Sequence, residues 1–494
     1  MNLFQVLPAS AALLLLASPA TAASSDRPPN ILFLLVDDLG WGALSSYGAE
    51  LHDTPNFDAL AARGMRFDNA YAACTVCSPS RAAILTGRYP ARLHLTDWIP
   101  GHGRPEAPLA VPDWSREIDP GLVTLPEALG DHGYRTWFLG KWHLMPIYDE
   151  WSDQRTRLEQ AKHTPQAHGF DVNIAGREWG QPKGRGRYFY PFDMPGIRSG
   201  EEGEYLTDRL TDEALKLLDT AEQGENAKPF LLYLSYYTVH TPLMGKPADV
   251  EHYRRVLADR DNPPTENELR TLANYAAMHR SLDQSIGRIV AKLDEVGLAD
   301  DTIIVFTGDN GGDRHDACGG LRGRKGTEFE GGVREPACVV WPGRIGAGSK
   351  SSTPIIGMDF YPTLLSLAGL PLRPDQHADG VDLSPVLTGN GGIDREALYW
   401  HYPHYHRTTP YSAVRRGDWK LIHMHEDDRR LLFDLAADPH EQHDLAAARP
   451  ERAAELFDDL EAWKRQVNAQ MPTPRPVLDP GASNTSDQAA GVGR

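Results

Sequence analysis

Cysteine is scarce in this 494-residue chain, with only Cys74, Cys77, Cys318 and Cys338. So few thiols exclude a small disulfide-stapled scaffold. A basic surplus is missing too. The formal net charge is −18, from 50 Lys and Arg against 68 Asp and Glu, which argues against a nucleic-acid partner. It does not forbid an anionic small ligand. Salt screens the average field beyond roughly 8 to 10 Å, and a few converging cations act at shorter range. No stretch reaches the roughly 18 uninterrupted apolar residues of a membrane-spanning helix, so no integral membrane segment is expected. Repeats and sustained heptads are also lacking, which excludes a solenoid or a coiled coil.

What is present begins with a processing signal. The apolar run at residues 11–17 is too short to span a bilayer, and Ala20-Thr21-Ala22 gives a small-x-small cleavage site. Residues 1–22 therefore read as a signal peptide, although no Lys or Arg precedes the run. Within that segment no Cys follows the run, so no bacterial lipid anchor is expected. The mature protein is expected to be exported, to the periplasm or beyond.

Apolar runs at residues 31–36, 136–139, 230–234, 303–306 and 338–341 have the texture of buried strands. Helical patterns at 115–133, 206–221 and 269–296 separate them. This alternation predicts an α/β fold: a large, mostly parallel sheet sandwiched by helices. Residues 148–203, rich in Gly, Pro and charge, are expected to form surface insertions. From about residue 394 the texture changes to three short strands, at 411–415, 419–424 and 431–435, followed by an amphipathic helix at 451–470. The expected division is a catalytic domain at 26–392, a smaller α+β subdomain with a short antiparallel sheet at 393–471, and a disordered tail at 472–494.

Chemistry-bearing residues follow the predicted strands. Asp37-Asp38 follow the first, Gly140-Lys141-Trp142-His143 the second, His240-Thr241-Pro242 the third and Asp309-Asn310-Gly311-Gly312 the fourth. In open α/β sheets ligands bind outside the carboxyl ends of the strands. Three carboxylates with an amide carbonyl are hard oxygen donors, suited to Ca²⁺ or Mg²⁺ rather than zinc. Clustered without a cation, the carboxylates would repel one another and their pKa values would rise. Cys74-x-x-Cys77 could be a redox pair or half a zinc site, but no thioredoxin-like context and no second CxxC supports either. Cys338 reads as a buried core thiol.

The run Cys77-Ser78-Pro79-Ser80-Arg81-Ala82-Ala83-Ile84-Leu85-Thr86-Gly87 resembles the C-x-P-S-R-x-x-x-L-T-G signature of type I sulfatases at every defined position. Those enzymes are formylglycine-dependent members of the alkaline-phosphatase-like superfamily. The likeness extends from about residue 29 to 446 and includes bacterial carbohydrate sulfatases and arylsulfatases. It implies that a maturation enzyme oxidises Cys77 to formylglycine. It implies a Ca²⁺ ion, with Mg²⁺ second, held by Asp37, Asp38, Asp309, Asn310 and the modified residue 77. Lys141 is implied to hold the sulfate and His143 to hydrogen-bond the aldehyde hydrate. His240 and Lys325, the latter in Gly323-Arg324-Lys325-Gly326-Thr327, are implied to protonate the leaving alcohol. Arg81, one turn into a helix whose N-terminus favours anions, would neutralise charge at the centre. One hydroxyl of the hydrate would attack sulfur and the other would expel sulfate, a release route that a thiol lacks.

The stretch Tyr399-Trp400-His401-Tyr402-Pro403-His404-Tyr405-His406 is either a packed interdomain loop or a sugar-contacting one, with His401 and His404 as candidate substrate contacts. Export, acidity and this loop favour a sulfated polysaccharide or oligosaccharide as substrate. The competing readings are a phosphate or phosphonate ester hydrolase of the same superfamily, and a non-catalytic carbohydrate binder. The second predicts losses among the site residues, and all of them are present.

Overall fold

The computed structural model describes residues 27–147, 161–222, 224 and 227–475. The signal-peptide segment and the tail beyond residue 475 lie outside the described residues. The strands are β1 (Asn30–Val36), β2 (Met65–Tyr71), β3 (Leu109–Ala110), β4 (Arg135–Gly140), β5 (Val172–Ile174), β6 (Phe230–Ser235), β7 (Thr302–Gly308), β8 (Arg334–Val340), β9 (Ser349–Ser351) and β10 (Ile355–Ile356), then β11 (Ala397–Tyr402), β12 (Tyr411–Arg416), β13 (Trp419–Met424), β14 (Arg429–Asp434) and β15 (Thr473–Pro474).

The large sheet runs β10-β2-β8-β7-β1-β6-β4-β5, with β9 beside β2. Its centre is parallel: β7, β1, β6, β4 and β5 all run one way. β1 shows why the strand forms. Leu32, Leu34 and Val36 enter the core on one face, while Ile31, Phe33 and Leu35 enter the core on the other. An apolar run with period-2 alternation is what a strand covered on both sides requires. Phe33 stacks on Tyr233 with ring centroids 4.7 Å apart. The 30-residue helix Glu266–Glu295 packs on one face, started by a Thr265–Glu268 capping box.

β11 to β14 form a four-stranded antiparallel meander, covered by the helix Pro450–Gln466. Its core also takes in Tyr71, Ala73, Cys74, Val76 and Ala83 from the larger sheet's side. This unit and the segment leading to Cys77 thus share one apolar cluster. Beside it, Lys420 is wholly buried, 3.0 Å from Glu330 and 2.9 Å from Glu441.

Four expectations need correction. β8 is antiparallel to both β7 and β2. The β7–β8 connection stays at the carboxyl edge of β7 instead of crossing the sheet, so the chain must return in the opposite direction. The helix expected over 115–133 shrinks to Leu125–Gly130. Pro120 and Gly121 interrupt the pattern, and Thr124 starts the helix late through its capping box with Glu127. Within the expected surface insertion, residues 148–160 lie outside the described residues, but Ala175, Tyr188 and Phe192 join the main core. At the tail, β15 pairs with β3 rather than being unstructured.

Candidate active site

The sheet register brings the candidate residues together. Val36 pairs with Gly308, and Ser235 pairs with both Leu35 and Gly140. The next residue after each of three strands is therefore Asp37, Asp309 or Lys141. Backbone bonds carry the ladder one step further: Asp309 N–H donates to Val36 O at 3.1 Å and Lys141 N–H to Ser235 O at 2.8 Å. Asp38 and His143 take left-handed backbone, both at φ 57, a conformation that Asp and His adopt more readily than most residues.

Cys77 opens the helix Cys77–Thr86, with Pro79 in its first turn and Gly87 as a left-handed cap. The Ser80 hydroxyl bonds both N–H and C=O of Cys74 at 2.9 Å, fixing the approach to the helix. All four cysteines are free and buried, so the CxxC pair is not a disulfide. Cys77 Sγ lies 3.6 Å from Asp37 Oδ1 and 3.3 Å from Lys325 Nζ.

Around it, cations and acids alternate. Lys141 Nζ is 2.7 Å from Asp37 Oδ2, and Lys325 Nζ is 2.6 Å from Asp38 Oδ1. The Arg81 guanidinium meets Asp309 Oδ2 at 2.8 Å and also donates to Lys141 O and Ser235 Oγ. Fork geometry and backbone anchors make Arg81 a fixed charge. Burial, reinforced by Asp309 and Asp38, pushes the Asp37 carboxyl up to about 8 against the pull of Lys141. Asp38 is held below the usual carboxylate range, with Lys325 and His240 overcoming its burial. Burial raises the Cys77 thiol to about 12 despite Lys141 and Lys325, so the unmodified thiol is not an activated thiolate.

The two candidate histidines are neutral at neutral pH. Burial lowers His240 to about 3 and holds His143 well below its ordinary range. His143 Nε2 donates to Ile99 O at 2.6 Å, leaving Nδ1 as a buried acceptor without a partner among the described residues. His240 Nδ1 donates to Thr241 O at 2.8 Å, so Nε2 turns a lone pair toward Asp38 Oδ2, 3.5 Å away.

That facing of lone pairs is one sign of a cation site. Asp37, Asp38, Cys77 and His240 each offer a ligand atom, all within 4.8 Å of one another. Asn310 gives a second sign. Its Nδ2 donates to Asp38 Oδ1 at 2.8 Å and to Gly311 O, while its Oδ1 is buried without a partner among the described residues. An orphaned amide carbonyl beside buried carboxylates suits a hard divalent ion.

A cavity of about 480 Å³ opens above this floor, within the range of ligand clefts. Asp38, Cys77, His143, His240 and Lys325 line its base. Asp37, Arg81 and Lys141 lie fully buried beneath, and Asp309 and Asn310 are equally buried. The structure thus brings together every residue expected at the centre.

His401 and His404 do not line the cavity, which corrects the expected substrate contacts. His401 sits in β11, with Nδ1 on Ser412 Oγ at 2.7 Å and Nε2 on Gln470 O at 2.9 Å. His404 is buried with Nε2 on Thr96 Oγ1 at 2.8 Å. The same stretch reaches the cavity two residues later, through His406 and Arg407. Trp98, Gln181 and Lys183 also line it, none singled out by the sequence. Gly180 touches the His143 ring so closely that a Cβ there would lie 2.6 Å from Cε1. A glycine beside a segment rich in basic residues was the one available signal for this wall.

A family model described as Sulfatase matches residues 29–370, and one described as N-sulphoglucosamine sulphohydrolase, C-terminal, matches residues 324–469. The chain is similar to arylsulfatase A of Bos taurus, at 33% identity over 509 aligned residues, covering 93% of this chain and 91% of the bovine protein. It is also similar to N-acetylgalactosamine-6-sulfatase of Canis lupus familiaris, at 35% identity, covering 83% and 74% of the two chains. Among solved structures it resembles Ps i-CgsB in complex with k-i-k-neocarrahexaose, with a TM-score of 0.74 and 27% identity over 90% of this chain and 94% of that one.

Proposed function

Because the chain belongs to the sulfatase family, we propose that it hydrolyses sulfate esters of a sulfated oligosaccharide or polysaccharide, using formylglycine at position 77 and one Ca²⁺ ion. The observation that carries this reading is the convergence of Cys77, Lys325 and Asp38 at the floor of one cavity, above buried Asp37, Arg81 and Lys141. The sugar class is supported by relatives named N-acetylgalactosamine-6-sulfatase, by the neocarrahexaose complex of a structural neighbour and by Trp98 in the cavity lining.

Asp37, Asp38, Asp309 and Asn310 would hold the ion, which supplies charge neutralisation for sulfate oxygens. The aldehyde hydrate at residue 77 supplies a nucleophile whose ester can be cleaved with recovery of the aldehyde. The chain's own residues do the rest. Arg81, locked by Asp309, the Lys141 carbonyl and the Ser235 hydroxyl, orients Asp309 and fixes positive charge under the centre. Lys141 and Lys325 offset charge on the transferring sulfuryl group. His143, with Nε2 committed to Ile99 O, keeps Nδ1 free to accept a proton at the cavity floor. Lys325 and His240, which line the cavity, face the side from which an alcohol would leave.

Burial of Cys77 favours oxidation by the maturation enzyme before the fold closes over it. Export through the segment at residues 1–22 belongs to the same proposal. The test is production with a formylglycine-generating enzyme, mass analysis of the tryptic peptide spanning residues 67–81, and a screen of sulfated glycans for released sulfate. The expected result is an aldehyde at residue 77 and sulfate release that Cys77→Ala abolishes. Full turnover by Cys77→Ala would overturn the reading.

A further inference from the structure

We propose a second anion-binding subsite beside the sulfate cavity, formed by Lys183 and Arg187, that takes a sulfate or carboxylate on a neighbouring sugar ring. The inference deepens the sulfatase reading and rests on it for the identity of the first anion. A cavity of about 400 Å³ adjoins the central one, sharing Gln181, Lys183 and Thr241 and adding Arg187. A ligand seated over Cys77 therefore has a continuous path past Lys183 to Arg187.

The local charge is the reverse of the protein's. Between Glu178 and Asp193 the chain carries Lys183, Arg185 and Arg187 and no acid, within a sequence of net charge −18. Lys183 and Arg187 are exposed, and neither makes an ion pair or side-chain hydrogen bond among the described residues. Arg407, which also lines the central cavity, is by contrast already paired with Asp313. Asp193, the next acid along, lies 3.9 Å from Arg177.

The basic run is also held in place. The buried Tyr188 hydroxyl lies 2.6 Å from Tyr237 O and 2.7 Å from His240 O and shares its one proton between them, tying the run to the segment of His240. Gly180 rests on the His143 ring at the other end. A turn from Gly186 O to Phe189 N and left-handed backbone at Arg187 shape the stretch between. Two unneutralised cations fixed beside a cleft focus an anion there, with Arg suited to bidentate oxyanion contact. The substrate this fits is a polyanionic oligosaccharide, with one anion at the reacting centre and a second on an adjacent ring.

The test measures calorimetrically the affinity of the full-length enzyme for short dextran sulfate, carboxymethyl-dextran and neutral dextran. The parent is compared with Lys183→Ala/Arg187→Ala and with Lys228→Ala/Lys350→Ala, which removes equal charge near the opposite edge of the sheet. The expected result is binding of an anionic dextran but not the neutral one, weakened about tenfold in the first double variant, the scale of two exposed ion pairs, and unchanged in the second. The anionic dextran that shows this loss tells sulfate from carboxylate. Equal affinity in parent and Lys183→Ala/Arg187→Ala, or an equal loss in the control, would overturn the subsite. Failure of matured parent enzyme to release sulfate would instead strike the hydrolytic reading and leave this binding result standing.

Discussion

The side chain of Arg407 donates to the backbone carbonyl of Lys325 at 3.2 Å. One residue comes from the loop that follows β11, the other from the connection between β7 and β8. The smaller unit thereby steadies the backbone of a residue whose ammonium reaches both Asp38 and Cys77. Arg407→Ala is expected to lower kcat/KM for sulfated substrate by about tenfold, the scale of one charge-assisted hydrogen bond. A thermal melt should shift little, because Arg407 is a third exposed. An unchanged kcat/KM would mean that Lys325 needs no such support.

Lys420 is expected to matter for the fold itself. It lies buried between Glu330 and Glu441, and Glu330 N–H also donates to Glu441 Oε2. Lys420→Met removes the ammonium that two buried carboxylates share, leaving Glu330 with Tyr71 and Arg334 and Glu441 with the Glu330 N–H, and should cost about 3–5 kcal/mol of stability. Urea unfolding measures that loss. The double change Lys420→Met/Glu330→Gln should recover part of it.

Asp97 supplies a pH dependence outside the reacting centre. It accepts from Tyr402 Oη at 2.7 Å and from Trp98 N–H at 2.9 Å, and burial raises its carboxyl to about 7. The folded state therefore holds this proton more tightly than the unfolded chain, whose carboxyl titrates near 4. The stabilisation is fully present below pH 4 and is lost as pH rises through about 7. Asp97→Asn keeps an acceptor for Tyr402 and removes the titration. Compared with parent protein in urea, the variant should gain up to a few kcal/mol between pH 4 and pH 8. A constant difference across that range would contradict the assignment.

Removal of divalent cations should lower both activity and thermal stability. The proposed donors are all oxygens: the carboxylates of Asp37, Asp38 and Asp309, and the Asn310 carbonyl, which is buried without a partner among the described residues. Chelation followed by dialysis is expected to reduce the melting temperature by a few °C, as loss of a ligand at about 100 times its Kd would. Ca²⁺ should restore it, and Zn²⁺ should not. Recovery with Zn²⁺ alone would point to His240 and a different chemistry.

Discrimination between sulfate and phosphate separates the sulfatase from its nearest competitor. Sulfate and phosphate monoesters of one phenol should differ in kcat/KM by at least about 100-fold in favour of sulfate, a difference of nearly 3 kcal/mol in transition-state binding. A preference for phosphate would reassign the enzyme within the superfamily.

The reacting centre was legible because strand ends concentrate it. Each of Asp37, Lys141 and Asp309 directly follows an apolar run, and parallel register aligns those ends. The helix start at Cys77 was marked by Pro79, and its end by Gly87. The walls were less legible, because they arise where distant loops meet. Trp98, Lys183 and Arg407 carry no periodic signal and reach the cavity only through long-range packing. His401 was misread for a definable reason. Residues 397–402 form a strand paired with β12, so His401 points into a buried network with Ser412, which in turn bonds His425. The reversed direction of β8 was equally hidden, since an apolar strand looks the same in either sense.

The cavity is shared between two parts of the chain. The candidate floor lies at the edge of the large sheet, whereas His406 and Arg407 are contributed by a unit that folds around its own meander. Because Arg407 also holds the backbone of Lys325, and the meander shares its core with the segment leading to Cys77, replacement of the whole terminal unit would disturb the floor. A lineage built this way would change its glycan preference by single substitutions on the rim rather than by exchange of a segment.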